Sequence, residues 1–288
     1  MPDHARHPGL GSHRDEGAAR TGDTNDRLCP VVKAEPTWRT LDFISDLHLQ
    51  AGEPATFAAW QRYLAGTPAD ALFILGDLFE VWVGDDITTA GTDPDAAFAR
   101  RCQQVLQATS ARLPVYFMHG NRDFLLGEHF AEASGMTLLP DPTALDFDGQ
   151  RCLLSHGDAL CLGDVAYQQF RQQVRAPTWQ AQFLAKPLTE RQAIARGLRA
   201  ESAARKHSGA SYADVDAATA MTWLRAHGAS TLIHGHTHHP QDHLLDAAAQ
   251  PPWRRVVLSD WDALARPPRL EVLRLQVGHA PRRVALAA

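Results

Sequence analysis

The stretch Ala71–Trp82 reads ALFILGDLFEVW, and it decides the fold predicted for this chain. The apolar run Ala71–Leu75 ends at Gly76, and a single carboxylate, Asp77, follows. A short apolar run that stops at a glycine is typical of a buried β-strand, which would deliver Asp77 to the C-terminal edge of a sheet. Taken alone, Asp77 also fits the N-cap of a following helix, because aspartate caps helices well. The rest of the chain decides between the two interpretations.

Four further apolar runs end in the same way, with oxygen or nitrogen side chains directly after them. Those endings are Asp46-x-His48, Gly120-Asn121, His156, and Gly235-His236-Thr237-His238. Residues two apart on an extended chain share a face, so Asp46 and His48 can converge on one ion. The same spacing applies to His236 and His238. Imidazole, carboxylate and amide ligands without thiolates suit Mn²⁺, Fe²⁺ or Zn²⁺ better than Ca²⁺ or Mg²⁺. The strand ends therefore predict a metal site.

These side chains outnumber the ligands that one metal ion needs. Two ions that share a carboxylate would use all of them, and a pair roughly 3.5–4 Å apart is the usual arrangement for in-line attack on phosphorus. Asp77 is the single, central carboxylate, so it is the expected bridge. A water held between two cations would have a lowered pKa and could attack as hydroxide.

The composition fits a globular protein and excludes several classes of function. The chain has 288 residues, 44% of them hydrophobic, and a net charge of -5, so sequence-independent nucleic-acid binding is not its expected task. Its four cysteines show no CxxC spacing, which argues against zinc fingers and predicts reduced thiols. No apolar run approaches the roughly 20 residues that span a bilayer. The N-terminus lacks the apolar segment of a signal peptide, so we expect a cytoplasmic protein.

The order of the predicted elements indicates one layered α/β domain, over residues 38–288, behind a leader. Residues 1–37 lack hydrophobic periodicity, and we expect them to be disordered. Strands that end in ligands then alternate with helices, an order typical of a layered sandwich. Residues from about 159 to 226 turn helical and mix apolar with basic side chains, which predicts a helical cap insertion.

The sequence predicts eight strands, and three helices before the cap. The strands are Leu41–Ile44, Ala71–Leu75, Val115–Met118, Leu145–Phe147, Arg151–Leu154, Thr231–Ile233, Val256–Leu258 and Leu270–Leu275. The helices before the cap are Phe57–Leu64, Pro94–Leu113 and Gly127–Ser134.

The five motifs, in chain order D-x-H, G-D, G-N-x-D, H-G-D and G-H-x-H, resemble those of the calcineurin-like metallophosphoesterases over about Leu41 to Pro240. The resemblance implies a four-layer α-β-β-α sandwich with two metals at the C-terminal ends of the strands. Carried over position by position, it assigns a set of ligands to each metal and the bridging role to Asp77. The first set is Asp46, His48 and His238, and the second is Asn121, His156 and His236.

Arg122 departs from the pattern of many relatives, which carry a histidine after the asparagine as the acid for the leaving group. Arginine cannot give up a proton near neutral pH, but it can fork onto phosphate oxygens. A leaving group that needs little protonation, such as a phosphate, fits this site and indicates pyrophosphate cleavage. We expect Asp77, Asn121 and Arg122 to be catalytic, and Asp123 and Asp158 to orient Arg122 or a ligand imidazole.

Longer stretches resemble one branch of the family, the UDP-2,3-diacylglucosamine diphosphatases. The stretches are Ile74–Asp86, His119–Gly127, Ser134–Pro140 and His234–Pro240. The resemblance implies two Mn²⁺ per chain and hydrolysis of the pyrophosphate of UDP-2,3-diacylglucosamine by water that attacks the α-phosphorus. UMP and 2,3-diacylglucosamine 1-phosphate (lipid X) would be released, a step of lipid A biosynthesis. It also implies a peripheral position on the cytoplasmic face of the inner membrane.

The same resemblance places substrate contacts at the strand ends and in the cap. These residues are Asn121, Arg122, Asp164, Ser202, Lys206 and His236, and the residue type at Lys206 differs from that of the family. An apolar and basic cap suits a diacyl substrate at an anionic membrane, although a stripe such as Phe170–Leu198 also fits a plain helical core. Two other functions stay open: a phosphoesterase on soluble nucleotides, and an inactive scaffold of the same fold.

Overall fold

Two six-stranded sheets carry the strands that the sequence predicts. A computed structural model describes residues 29–207 and 213–287, except for the side chains of residues 200–207. The strands are β1 (Val31–Lys33), β2 (Thr40–Ile44), β3 (Ala71–Leu75), β4 (Val115–Met118), β5 (Met136–Leu139), β6 (Thr143–Phe147), β7 (Gln150–Leu154), β8 (Thr231–His234), β9 (Gln241–Asp246), β10 (Trp253–Val257), β11 (Glu271–Gln276) and β12 (Arg282–Ala285). The helices are α1 (Pro54–Gly66), α2 (Pro94–Ser110), α3 (Glu128–Ser134), α4 (Val165–Val174), α5 (Pro177–Leu184), α6 (Leu188–His207) and α7 (Ala217–His227).

The strand order brings the ligand-bearing strands side by side. The first sheet has the order β12-β11-β2-β3-β4-β5, and the second has the order β1-β6-β7-β8-β10-β9. Strands β2, β3 and β4 run parallel, and so do β7 and β8. Parallel strands end at the same edge of a sheet, so the residues after them collect at that edge.

The side chains of the strands alternate between separate hydrophobic cores. Leu75 of β3 packs between the two sheets, in a cluster that includes Leu154 of β7. Leu72 lies on the other face of β3, in a cluster with residues of α1, α2 and α3. On the outer face of the second sheet, Leu232 packs with Leu224 of α7. The layers are thus helices, sheet, sheet and helix, which confirms the predicted α-β-β-α sandwich.

The sequence did not predict four of the strands, and all four are edge strands of the two sheets. They are β1, β5, β9 and β12. An edge strand is paired on one side only, and its short sequence carries little apolar pattern of its own. Strand β1 also corrects the expected leader, because Val31 pairs in parallel with Ala144 of β6. A disordered segment that extends to residue 37 is therefore too long, and residues 1–28 lie outside the described residues.

The predicted cap at 159–226 includes one helix that belongs to the sandwich. In α7, Ala220 and Leu224 are completely buried and pack with Leu232 of β8. The insertion that remains consists of α4, α5 and α6. Within the described part of the chain, no helix is both long enough and apolar enough to cross a membrane.

A buried ion pair joins β2 to β11 at the middle of the first sheet. Asp42 is completely buried, and its two oxygens each accept a hydrogen bond of 2.7 Å from the guanidinium of Arg274. The hydroxyls of Tyr63 and Thr67 also donate to Asp42, each at 2.7 Å. These bonds attach α1 and the turn after it to the sheet. Removal of one partner would leave an uncompensated buried charge.

Replacement of Arg274 by methionine should therefore destabilise the fold. We expect Arg274→Met to lower the free energy of unfolding by about 3–5 kcal/mol, because Asp42 stays buried without its counter-ion. Urea denaturation measures the change. The control is Arg282→Met, on the exposed face of β12, which should stay within about 0.5 kcal/mol of the unchanged protein. Equal stability of the two variants would contradict the role of the pair.

Candidate metal centre

All seven predicted ligands lie at the end of the sandwich where the parallel strands stop. Asp46 and His48 follow β2, Asp77 follows β3, Asn121 follows β4, His156 follows β7, and His236 and His238 follow β8.

Five of these seven residues have a left-handed backbone. Their φ angles are 54° at Asp46, 49° at His48, 53° at Asp77, 69° at His236 and 54° at His238. Among the described non-glycine residues, only Asp148, in the turn of the β6–β7 hairpin, shares this property. Such a backbone costs about 1–3 kcal/mol per residue, and it persists where the surroundings over-determine it, often at functional sites.

Asp46, His48 and His238 form a first ligand group. Oδ2 of Asp46 accepts hydrogen bonds from Ser45 Oγ at 2.6 Å and from the backbone N–H of His236 at 2.9 Å. Oδ1 of Asp46 is buried without a hydrogen-bond partner, and Nε2 of His238 lies 3.3 Å from it. The Nε2 atoms of His48 and His238 are 3.2 Å apart. An unpartnered carboxylate oxygen beside two ring nitrogens fits a divalent cation.

Asn121, His156 and His236 form a second ligand group. Oδ1 of Asn121 lies 3.0 Å from Nε2 of His156 and 2.9 Å from Nδ1 of His236. The other ring nitrogen of His156, Nδ1, lies 2.9 Å from the backbone oxygen of Leu75. A ring that donates Nδ1–H to a backbone oxygen keeps the lone pair of Nε2 for a metal.

Asp77 lies beside the second group and reaches toward the first. Its Oδ1 is 3.8 Å from Nε2 of His156, and it accepts the backbone N–H of Arg122 at 2.8 Å. Ligand atoms of Asp46, Asp77 and His156 all lie within 4.8 Å of one another, as do those of the first group. Asp46 therefore belongs to both sets of neighbours, although the family pattern assigned it to one metal only.

Two glycines of the motifs leave room for these carboxylates. A Cβ atom at Gly120 would collide with Oδ1 of Asp77, and one at Gly235 would collide with Oδ2 of Asp46. The collisions explain physically why a glycine precedes a ligand at these two strand ends.

The buried charges of the site compensate one another. Burial alone would raise the pKa of Asp46, but the nearby ring of His238 and the charge of His156 hold it well below its usual range. Burial lowers the pKa of His156, yet Asp77 and Asp46 outweigh it and raise that pKa to about 9. Burial and the charge of His156 lower the pKa of His236 to about 4. Metal ions and protons therefore compete for these ring nitrogens.

Two predicted substrate residues outside the candidate ligand set, Arg122 and Asp164, have described side chains. Arg122 is mostly buried, and its Nε has no hydrogen-bond partner. Asp164 caps α4 by accepting the backbone N–H of Tyr167 at 3.0 Å, and the Tyr167 ring stacks on His236 with centroids 5.9 Å apart. Ser202 and Lys206 belong to the part of α6 whose side chains lie outside the described residues.

The sequence led us to expect that Asp123 orients a side chain. In the structure, its carboxylate binds backbone groups instead. It is completely buried and accepts backbone N–H groups, from Leu78 at 2.7 Å and Gly120 at 2.9 Å, with longer bonds from Asp77 and Phe79. The carboxylate thus fastens the end of β3 to the end of β4. Three of its four partners are 44 to 46 residues away along the chain, so the sequence contained no local signal for them.

Three carboxylates outside the cap pair with arginines of the cap, and the sequence did not predict these pairs. Asp158 accepts from Nε of Arg171 at 2.8 Å and from the Tyr167 hydroxyl at 2.6 Å. Asp86 pairs with Arg191, which is almost completely buried, and Glu80 lies 2.9 Å from Nη2 of Arg199. Asp158 and Glu80 follow a predicted ligand by two and three residues, which is the signal available in the sequence. Because the cap contains many arginines, the sequence did not show which arginine pairs with which carboxylate.

Asp123→Asn should weaken both the fold and metal binding. In either orientation the amide places an NH₂ group against backbone N–H donors, which leaves them unsatisfied and costs about 2–4 kcal/mol of unfolding free energy. Urea denaturation and the metal content of the purified protein test this expectation. Asp95→Asn, exposed in the first turn of α2, is the matched control and should behave like the unchanged protein. Indistinguishable variants would rule out the fastening role of Asp123.

The sequence matches one family of known proteins. A sequence model of the calcineurin-like phosphoesterases matches residues 39–240. Among solved structures, one described as a novel archaeal phosphodiesterase is similar, with a TM-score of 0.42 and 10% sequence identity over 86% of this chain and 99% of that one.

Two curated relatives share a name, and the match with this chain covers most of the length of each. The UDP-2,3-diacylglucosamine hydrolase of Chromobacterium violaceum is 48% identical over 230 residues, which are 77% of this chain and 90% of that protein. The protein of the same name from Escherichia coli O17:K52:H18 is 46% identical over 222 residues, which are 76% and 90% of the two chains. The chain therefore belongs to the calcineurin-like phosphoesterases, in the branch formed by the UDP-2,3-diacylglucosamine hydrolases.

Proposed function

We propose that this chain hydrolyses the pyrophosphate bond of UDP-2,3-diacylglucosamine and releases UMP and 2,3-diacylglucosamine 1-phosphate, a step of lipid A biosynthesis. The observation that carries the proposal is the convergence of seven metal-ligand side chains beside Arg122. Relatives that are 46% and 48% identical are named hydrolases of this substrate, which supports the same substrate here.

The cofactors of the proposed reaction are two Mn²⁺ ions. Bound at this site, divalent ions would neutralise phosphate charge and activate the attacking water. Imidazole, carboxylate and amide donors without a thiolate suit Mn²⁺. Asp46, His48 and His238 would hold one ion, Asn121, His156 and His236 would hold the other, and Asp77 would be shared.

Arg122 holds the phosphate in this proposal. Its guanidinium donates to phosphate oxygens as charge builds on them. The hydrogen bond from its backbone N–H to Asp77 fixes the loop beside the metal ligands. Asn121 contributes a neutral oxygen, so the second ligand group carries less negative charge than one built with another carboxylate.

The cap supplies apolar surface for the acyl chains and for the membrane. Five of the eight exposed large apolar side chains among the described residues lie between residues 162 and 198. They are Leu162, Val165, Phe170, Leu184 and Leu198. Trp179 also stacks on Phe183, with ring centroids 4.9 Å apart. This surface supports the proposal of peripheral contact with the cytoplasmic face of the inner membrane.

Substrate contacts come from both the strand ends and the cap. We assign Asn121, Arg122, Asp164, Ser202, Lys206 and His236 to this role. Asp164 supports the assignment by its position at the start of α4, three residues before the ring that stacks on His236.

Two assays of UMP release separate this function from phosphoesterase activity on soluble nucleotides. We expect kcat/KM for UDP-2,3-diacylglucosamine to exceed that for non-acylated UDP-glucosamine at least tenfold, because burial of even two methylenes contributes roughly 1.6 kcal/mol. Equal values would favour the soluble-nucleotide function. Absence of any Mn²⁺-dependent turnover would favour an inactive scaffold.

Arg122→Ala should keep its metal and lose most of its turnover. One charge-assisted contact to the transition state is worth about 2–4 kcal/mol, which corresponds to a loss of about 30- to 1,000-fold in kcat. Steady-state kinetics and metal analysis of the same sample measure both properties. The exposed Arg62→Ala of α1 is the control and should match the unchanged protein. Loss of metal from Arg122→Ala would contradict the phosphate-holding role.

A further inference from the structure

Glu80, in the loop after β3, contacts both a metal ligand and the cap. Its Oε2 lies 2.8 Å from Nδ1 of His48. Its Oε1 lies 2.9 Å from Nη2 of Arg199 in α6 and 3.8 Å from Nη1 of Arg122. The side chain is only 15% exposed, so these contacts are shielded from solvent.

The contact with His48 determines how that ring faces the metal site. Nδ1 faces Glu80, whereas Nε2 lies 3.2 Å from Nε2 of His238. Nδ1 is buried without a hydrogen-bond partner, and the carboxylate of Glu80 beside it is its charged neighbour. A carboxylate beside Nδ1 favours the tautomer with its proton on Nδ1, which leaves the lone pair of Nε2 for a metal.

Backbone pairing holds Glu80 beside His48. The backbone N–H of Glu80 donates to the oxygen of Leu49 at 3.2 Å, and the N–H of Leu49 donates to Leu78 at 2.9 Å. The N–H of His48 also donates to the oxygen of Asp77 at 3.0 Å. The loops after β2 and β3 therefore run together, and Glu80 is fixed opposite the ring of His48.

Arg199 connects the same carboxylate to the cap. It lies in α6, about 120 residues from Glu80 along the chain, and its guanidinium is 36% exposed. Arg122, which we assigned to the phosphate, approaches the same oxygen of Glu80 from the strand end. One oxygen of this carboxylate thus contacts a predicted metal ligand. The other oxygen contacts two arginines, one of which belongs to the cap.

We propose that Glu80 is a positioning residue, which orients His48 for metal binding and, through Arg199, makes that orientation depend on a docked cap. The proposal rests on the proposed metal site. It follows that loss of either Glu80 or Arg199 weakens metal binding, although neither is among the ligands.

Binding of Mn²⁺ without substrate tests the role of Glu80. Glu80→Gln keeps the shape of the side chain and removes its charge, and we expect one Mn²⁺ to bind about 10- to 100-fold more weakly in a chelator competition. The matched control is Glu190→Gln, which removes an exposed glutamate that pairs with Lys186 in the cap. Its affinity for Mn²⁺ should be unchanged. Equal affinities of Glu80→Gln and Glu190→Gln would overturn the proposal.

Arg199→Ala keeps the test decisive even if Glu80→Gln fails to fold, because Arg199 is partly exposed on a helix. We expect Mn²⁺ binding to weaken at least about twofold, which corresponds to the lower end of the interaction energies between residues of one network. Arg196→Ala, an exposed arginine of the same helix, should leave it unchanged. Equal affinities of these two variants would overturn the link to the cap. An unchanged protein that binds no Mn²⁺ would instead refute the metal site itself.

Discussion

The left-handed backbone of five of the seven candidate ligand residues is the constraint on which this site depends. Each such residue costs about 1–3 kcal/mol, so the conformation needs support from its surroundings. Backbone hydrogen bonds supply that support, from Asp46 to the oxygen of Gly76 at 3.1 Å and from Trp261 to the oxygen of Asp46 at 3.0 Å. The buried strands before these residues fix where each turn begins. The fold thus spends part of its stability to direct polar side chains inward at the end of the sandwich.

The same end of the molecule joins the two sheets and the cap. Oδ2 of Asp46 in the first sheet accepts the backbone N–H of His236 from the second, and His156 contacts the backbone oxygen of Leu75 across the sandwich. Asp158 holds α4 beside these residues through Arg171. A metal ion bound here would contact only the folded arrangement, so its binding would also stabilise the fold.

Much of this arrangement could be predicted from the sequence, and the limits have physical causes. The strands Ala71–Leu75 and Val115–Met118 match because buried strands are continuous apolar runs with clear ends. The seven predicted ligands are the polar residues after such runs, and the structure brings them to one end of the sandwich. Edge strands such as Val31–Lys33 depend on pairing with distant segments, so their short sequences did not reveal them. For the same reason the fastening role of Asp123 required the structure.

The positions of bound Mn²⁺ ions test the central claim most directly. Anomalous diffraction from crystals grown with Mn²⁺ would locate each ion independently of any assay. We expect two peaks, one within ligand distance of His48 and His238 and the other within ligand distance of Asn121 and His156, with a carboxylate oxygen of Asp77 contacting both ions. A single peak, or peaks that Asp77 does not contact, would contradict the claim that the strand ends build one bridged metal pair.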